Sequence, residues 1–221
     1  MRLFKLLSPA PIAIALALVT TAWPSVANNA NNANNAKSTK KPRAEAPIPA
    51  LSLAVAVVQE EGRPAQTETW IDAQIAEAER LFSEAGVKLV KGSQRALDQR
   101  FARLETRKDR DALAAELEKG RINVMVVASL RDVDDPRLFR MGVHWRPQSD
   151  LRKHYVIVAA SALPSTLAHE LGHFFGNGHS QVPNNVMSYD RTGAPVFFDA
   201  GQQRKIRTFA RLFLRSKELV P

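Results

Sequence analysis

The 221-residue chain contains no cysteine. This absence excludes disulfide bonds and a lipid anchor attached through a cysteine thiol. Long apolar runs are also scarce near the N-terminus, where residues 12–19 form a stretch far shorter than the roughly 20 apolar residues of a membrane-spanning helix. A stable membrane anchor is therefore not expected.

The first 27 residues have the pattern of a secretory signal peptide. Arg2 and Lys5 precede the apolar run, and Ser25 and Ala27 offer small side chains at the two positions that a signal peptidase reads. A membrane anchor is the weaker alternative for the same segment. The sequence thus predicts a protein that is secreted or periplasmic.

A linker and a single domain follow this segment. Residues 28–49 repeat Asn-Asn-Ala and then carry lysine, proline and alanine, with almost nothing able to form a core, which predicts a disordered linker. Residues 50–221, about 170 in number, are enough for one domain that buries a sound core without disulfides.

Within this domain, apolar runs of strand length alternate with segments of helical spacing. The predicted strands cover residues 51–58, 87–90, 122–128, 141–145 and 155–159. The predicted helices are one from Ile71 to Ala85 that ends at Gly86, a short one near residues 111–117, one around His169, and a last one capped by Asp199. This order predicts an α/β (α+β) fold with a mixed, mainly parallel sheet covered by helices.

The chain is basic, with a formal net charge of +9. On the last helix, arginines line a side away from the predicted packing stripe of Ile206, Phe209, Ala210 and Phe213; they are Arg204, Arg207, Arg211 and Arg215. A solvated helix face explains this pattern, and attraction to acidic polymers or acidic protein substrates is the alternative. Nucleic acid is not an expected partner, because no basic motif is interleaved with aromatic residues.

The most informative stretch covers residues 169–179, His-Glu-Leu-Gly-His-Phe-Phe-Gly-Asn-Gly-His. On a helix, His169 and His173 lie about 40° apart, so both imidazoles can reach one ion. Glu170 lies about 100° away from His169. Its carboxylate is then placed beside the ion without occupying a ligand position, which suits a base acting on a water that the metal activates.

A third ligand follows the helix. Gly176 allows positive φ at the end of the helix, so that His179 can return toward the other two histidines. Three nitrogens around one zinc ion leave the fourth position open for water or substrate, which is typical of a catalytic site. The sequence therefore predicts zinc bound by His169, His173 and His179.

These residues resemble the zinc signature of metzincin metallopeptidases, in which a Met-turn follows the third histidine. Met187 lies eight positions after His179, within Asn-Val-Met-Ser-Tyr, and both this spacing and Ser180 are similar to the matrixin branch. The resemblance implies that Met187 forms a hydrophobic floor beneath the metal; ordinary core packing is the alternative. The absence of cysteine excludes a matrixin-type cysteine switch.

Tyr189 departs from the matrixin pattern and is similar to the tyrosine of serralysins and astacins. That resemblance implies that Tyr189 can bind zinc and can swing away to hydrogen-bond the tetrahedral intermediate. The alternative is a half-buried tyrosine whose hydroxyl satisfies a local turn.

The resemblance further implies a secreted zinc endopeptidase with Glu170 as general base. The strand at residues 141–145 would be an antiparallel edge bordering the cleft, where an extended peptide substrate binds as an added strand. Two alternatives stay open: a zinc-fold binding or toxin module, and a hydrolase of cell-wall peptide cross-links. A monomer is expected.

The remaining candidate residues carry weaker signals. His144 and His154 are too few for a second, structural zinc, although His144 could contact substrate. Asp132, Asp134 and Asp135 could hold calcium, but their spacing lacks the full loop pattern, and a solvated acidic turn is the alternative. The specificity pocket is expected to involve residues after the third histidine and after Tyr189, namely Val182, Pro183, Pro195 and Phe197.

Overall fold

The structure of the chain is a computed structural model that describes residues 46–221. The predicted signal peptide, residues 1–27, and the predicted linker up to residue 45 lie outside the described residues. Of the last four linker residues, Ile48 packs against the core and Ala46 accepts a hydrogen bond from Arg211. No helix in the described part is both long enough and apolar enough to cross a membrane.

The central element is a mixed sheet. The strands of the described residues are β1 (Leu51–Glu60), β2 (Arg63–Pro64), β3 (Leu89–Leu97), β4 (Arg103–Leu104), β5 (Ile122–Val127), β6 (Ser129–Leu130), β7 (Gly142–Trp145) and β8 (Tyr155–Ala159). The main sheet has the order β3-β1-β5-β8-β7, and the short β2 pairs with the end of β1. The strands β3, β1, β5 and β8 are parallel, whereas β7 is an antiparallel edge, so the predicted sheet is confirmed.

Four α-helices accompany the sheet in the described part: α1 (Glu68–Glu84), α2 (Arg107–Ala112), α3 (Thr166–Phe174) and α4 (Ala200–Arg215). Side chains of β1 alternate between two cores, with Leu53 and Val55 in one and Ala56 and Val58 in the other. Because both faces of the strand are covered, its sequence is a continuous apolar run.

Two helix ends follow the sequence prediction. The helix α1 ends just before Gly86, and α4 begins after Asp199, whose carboxylate accepts a hydrogen bond from the backbone N–H of Gln202 at 2.8 Å. The Gln202 side chain in turn accepts from the N–H of Asp199, which completes a capping box.

Two predicted boundaries were wrong. The strand β3 continues to Leu97, beyond the predicted end at residue 90, because it lies at the edge of the sheet and exposes polar side chains such as Lys91. The helix α2 begins at Arg107 instead of residue 111, and residues 113–116 form a 3₁₀ turn. Its start is set by a capping box between Thr106 and Asp109.

Candidate metal centre

The helix α3 separates a packing face from a polar face. Leu167, Leu171 and Phe174 are buried in the core together with Phe175, which follows the helix, as the sequence predicted. His169 and His173 project from the opposite face into a cleft. Packing of the apolar side against the core therefore fixes the direction in which the two imidazoles point.

The chain reverses directly after α3. Gly176 has a φ of +80° and its N–H bonds to the carbonyl of His173, while the N–H of Asn177 bonds to the carbonyl of Gly172. This reversal returns His179 to the other two histidines. The Nε2 atom of His173 lies 3.2 Å from Nε2 of His169 and 3.1 Å from Nε2 of His179.

The donor set fits a zinc ion. The Nδ1 atoms of His169 and His173 donate to the carbonyls of Val186 and Asn177 at 2.7 and 2.8 Å, so each Nε2 carries a lone pair. Lone pairs converging at this separation repel one another unless a cation lies between them. Two nitrogens of a tetrahedral zinc site are about 3.3 Å apart, close to the distances seen here.

The electrostatic setting of His169 and His173 favours their neutral form. Burial lowers the pKa of His169 to about 4 and also lowers the pKa of His173. Hydrogen bonds to backbone carbonyls partly oppose this effect at both residues. Because only a neutral imidazole binds a metal, near neutral pH these two side chains need not release a proton before they coordinate.

The predicted base, Glu170, lies beside the triad in the same cleft and is 6% exposed. Burial raises the pKa of its carboxyl to about 8, while the backbone N–H of His144 on β7 and the charge of Arg140 act in the opposite direction. A nearby divalent cation favours the ionised form still more.

Met187 is fully buried below α3. Its backbone N–H bonds to Oδ1 of Asn185 at 2.9 Å, and its carbonyl accepts from the N–H of Ser180. A Cβ atom at Gly172 would collide with the Met187 sulfur, so only glycine allows this close approach of the turn to the metal helix. Met187 thus packs against the metal helix and belongs to the hydrophobic core, and its role as a floor beneath the metal stays a prediction.

Tyr189 lies at the mouth of the site. Its hydroxyl is 2.9 Å from Nε2 of His179, and its ring centroid is 4.8 Å from that of His179. The residue is 71% exposed, which leaves its side chain free to rotate away from the triad. This position differs from the alternative in which the hydroxyl satisfies a local turn.

The cleft has a volume of about 540 Å³ and is bordered by the edge strand β7 on one side and by the Met-turn on the other. The four residues predicted to form the specificity pocket, Val182, Pro183, Pro195 and Phe197, do not line it. Arginines line it instead. The four predicted residues are close in sequence to His179 and Tyr189, but this closeness does not bring them into the cleft. The loop after Met187 instead places Arg191 there, and its guanidinium donates to the carbonyls of Asn185 and Val186.

Several cleft residues were not identified from the sequence. Arg107, Arg110 and Arg140 come from α2 and from the segment before β7, and Trp145 ends β7. In the sequence, Arg107 and Arg110 are three residues apart, which is the spacing of neighbours on one face of a helix. Their position over a tryptophan some 35 residues later depends on tertiary packing, so no local pattern could have revealed it.

The other candidate ligands have protein partners. His144 lines the cleft, and its Nε2 lies 2.9 Å from Nδ1 of His154, which is in turn bonded to Glu218. The acidic turn is neutralised by arginines, with Asp132 bonded to Arg140, Asp134 to Arg107 and Asp135 to Arg137. This pairing argues against a calcium site, and the turn is only partly solvated, because Asp132 is buried.

The turn at Gly176, which returns His179 to the triad, can be tested through its contribution to the stability of the protein. A Cβ atom there would lie 2.7 Å from the Phe209 ring, in addition to the strain of positive φ. We expect Gly176→Ala to lower the free energy of unfolding by about 2–4 kcal/mol, measured by chemical denaturation. Gly193→Ala is the matched control, because its φ is +87° but nothing lies within 4 Å. Equal effects of the two changes would exclude the contact with Phe209 as a cause.

Comparison with known proteins gives no match to any family model or to any curated protein. Solved structures do match. Metalloproteinase-II from Bacteroides fragilis has a TM-score of 0.54 at 16% identity, covering 76% of this chain and 55% of that one. Mirolysin, in complex with a compound, has a TM-score of 0.53 at 12% identity, covering 78% of this chain and 97% of mirolysin. Archaemetzincin from Methanopyrus kandleri has a TM-score of 0.51 at 15% identity, covering 73% of this chain and 96% of the archaemetzincin chain.

These similarities show the fold. The fold resembles that of metzincins, with a mixed sheet, a helix that carries His169 and His173, and a C-terminal helix, and the ligand atoms of the three histidines lie within 4.8 Å of one another, a group that fits a zinc site. The chain spans only about half of the Bacteroides fragilis protein but nearly all of the two others. The resemblance to metzincins is thereby confirmed.

Proposed function

We propose that this protein is a zinc-dependent endopeptidase. The observation that carries the proposal is the convergence of three histidine Nε2 atoms beside Glu170, in a cleft bordered by an edge strand. Among the described residues, β7 pairs only with β8, so its other edge can bind an extended peptide through backbone hydrogen bonds.

The chain's own residues supply positioning and proton transfer. Zinc, when bound by the three histidines, supplies a Lewis acid that polarises a carbonyl and lowers the pKa of water. Glu170 accepts a proton from the attacking water on its carboxylate and then delivers that proton to the leaving amine. The N–H of His144 holds the carboxylate in place, and β7 aligns the peptide with it.

Tyr189 is proposed to stabilise the oxyanion. Its hydroxyl lies next to His179 in the free protein, and its exposure allows it to turn toward a substrate carbonyl. Such a hydrogen bond would form only in the transition state, so it would affect kcat much more than KM.

Tyr189→Phe should therefore lower kcat about 10- to 100-fold with KM nearly unchanged, the scale of one charge-assisted hydrogen bond. Steady-state kinetics on one fluorogenic peptide measures both constants, and zinc content should stay the same. Tyr155→Phe is a control for stability only, since it removes the buried hydroxyl of the chain's other tyrosine, which bonds to the backbone carbonyl of Arg110. An unchanged kcat in Tyr189→Phe would mean that this hydroxyl has no part in the chemistry.

Turnover of casein and of muropeptides tests the proposal against its alternatives. Release of peptides from casein supports the endopeptidase. Release of muropeptides without casein cleavage would assign the site to cell-wall cross-links. Absence of both activities in zinc-loaded protein would favour a binding or toxin module.

We also propose that the mature protein is exported and begins after residue 27. The basic, apolar and small-residue pattern of the first 27 residues supports this. N-terminal sequencing of the protein recovered outside the cytoplasm should start at Asn28. Recovery of the intact N-terminus in the cytoplasm would contradict export.

A further inference from the structure

Two arginines of α2 lie near the indole of Trp145 in the cleft. The Arg110 guanidinium lies 4.7 Å from a ring centroid of Trp145, and the Arg107 guanidinium lies 5.8 Å from it. The indole N–H donates to Asp111 at 2.8 Å, which holds the ring against α2. Both arginines come from α2, where they lie three residues apart, so they form one positively charged wall of the cleft.

Arg110 is a buried cation that forms no direct ion pair with a carboxylate. It is 3% exposed, its Nη2 donates to the carbonyl of Arg131, and its Nε is buried without a hydrogen-bonding partner. Among the described residues, Arg110 forms no ion pair within 4 Å. A buried charge without a counter-ion is costly, so an anion supplied by a ligand would offset that cost.

The neighbouring acidic groups neutralise this wall only in part, although the charges of Asp132 and Asp134 both act on Arg110. Asp132 is bonded to Arg140 and also accepts the backbone N–H groups of Asp134 and Asp135. Asp134 pairs with Arg107, but the two side chains are 79% and 51% exposed. Exposed pairs of this kind are weak, so Arg107 can exchange Asp134 for another carboxylate.

The wall lines the same cleft as Glu170 and the histidine triad. Trp145 is the last residue of β7, and its neighbour His144 directs its backbone N–H at Glu170. A peptide added to β7 advances about 3.3 Å per residue. The substrate side chain that faces Trp145 is therefore within about three residues of the bond that is cleaved.

We infer that Arg107 and Arg110 form a subsite for an acidic side chain, so that the enzyme prefers peptides with aspartate or glutamate within three residues of the scissile bond. This inference rests on the proposed endopeptidase function. The half-exposed guanidinium of Arg107 pairs with the substrate carboxylate, and the buried positive charge of Arg110 beside it strengthens the attraction. The positive charge of the whole chain attracts the same class of substrate.

The first test uses the unaltered protein and needs no substitution. Peptides are compared in sets of three that differ only in carrying glutamate, glutamine or lysine at one position. One set is made for each of the three positions on either side of the cleaved bond. At one of these positions, kcat/KM should be at least about tenfold higher for glutamate than for glutamine, and lowest for lysine. Raising the salt concentration should reduce the difference. Equal values for glutamate and glutamine at every position would overturn the inference.

A second test uses variants. Arg107→Gln and Arg110→Gln should each reduce the ratio of glutamate to glutamine cleavage several-fold, while Arg110→Lys should retain part of it. Arg107 is half exposed, so its replacement is expected to leave the fold intact even if Arg110→Gln folds poorly. Arg204→Gln removes the same charge from α4, outside the cleft, and should leave the ratio unchanged. An unchanged ratio in Arg107→Gln and Arg110→Gln would assign any acidic preference to other groups.

Binding separates failure of this inference from failure of the proposed function. Fluorescence anisotropy with the same labelled peptides measures affinity for Glu170→Gln, which should not turn them over. Tighter binding of the glutamate peptide without any cleavage by the unaltered protein would support the subsite and contradict the peptidase. Cleavage of all three peptides, with equal affinity for each, would support the peptidase and contradict the subsite.

Discussion

Changing Glu170 to glutamine is expected to lower kcat by at least about 100-fold, while zinc content and stability stay close to those of the parent. Glutamine keeps the size and hydrogen-bonding reach of glutamate but cannot accept a proton from water. Because the side chain is buried in the cleft beside the triad, bulk solvent cannot easily replace it as a base. The measurement is steady-state hydrolysis of a fluorogenic peptide, combined with elemental analysis of the purified protein.

Glu84→Gln is the matched control for this change. Glu84 is exposed near the end of α1 and pairs with Arg80, far from the lining of the cleft. The Glu84→Gln variant should retain full activity. Parent-like cleavage by Glu170→Gln would mean that another group accepts the proton, and the proposed mechanism would then be wrong.

Replacing any one histidine of the triad with alanine should weaken zinc binding more than about 100-fold and abolish peptide cleavage. Loss of a ligand removes a bond to the ion itself, so its effect should exceed the 10- to 100-fold loss typical of groups that only orient a ligand. Zinc content after dialysis against a weak chelator is the measurement, with about one zinc per chain in the parent and little in His169→Ala, His173→Ala or His179→Ala.

His154→Gln is the control for the loss of a histidine. His154 is buried and bonded to His144 and Glu218, but it does not belong to the triad. This variant should keep about one zinc per chain. Retention of zinc by all three triad variants would show that the ion, if bound, lies elsewhere.

The features that could be predicted from the sequence depend on short separations along the chain. His169, Glu170 and His173 lie on one helix, and Gly176 and His179 follow within six residues, so helical periodicity and one left-handed turn suffice to place them. Buried strands such as β1 and β8 could be recognised from their apolar runs for a similar reason. Their residues are covered on both faces.

The features that could not be predicted depend on contacts between distant residues. Arg110 meets Trp145 across about 35 residues, and His154 meets Glu218 across 64. Each of these residues, taken alone in the sequence, is an ordinary polar or aromatic side chain. The predicted length of the edge strand β3 was too short, because the part of the strand after residue 90 exposes polar side chains and has no apolar run.

Zinc titration of metal-free protein, followed through the rate of peptide hydrolysis, would test whether one zinc ion at the histidine triad is responsible for catalysis. We expect the rate to rise in proportion to added zinc and to stop rising at about one equivalent per chain, and we expect Glu170→Gln to bind the same equivalent without gaining activity. Peptide hydrolysis by the metal-free protein at the full rate, or no hydrolysis once one zinc is bound to the histidine triad, would contradict this expectation.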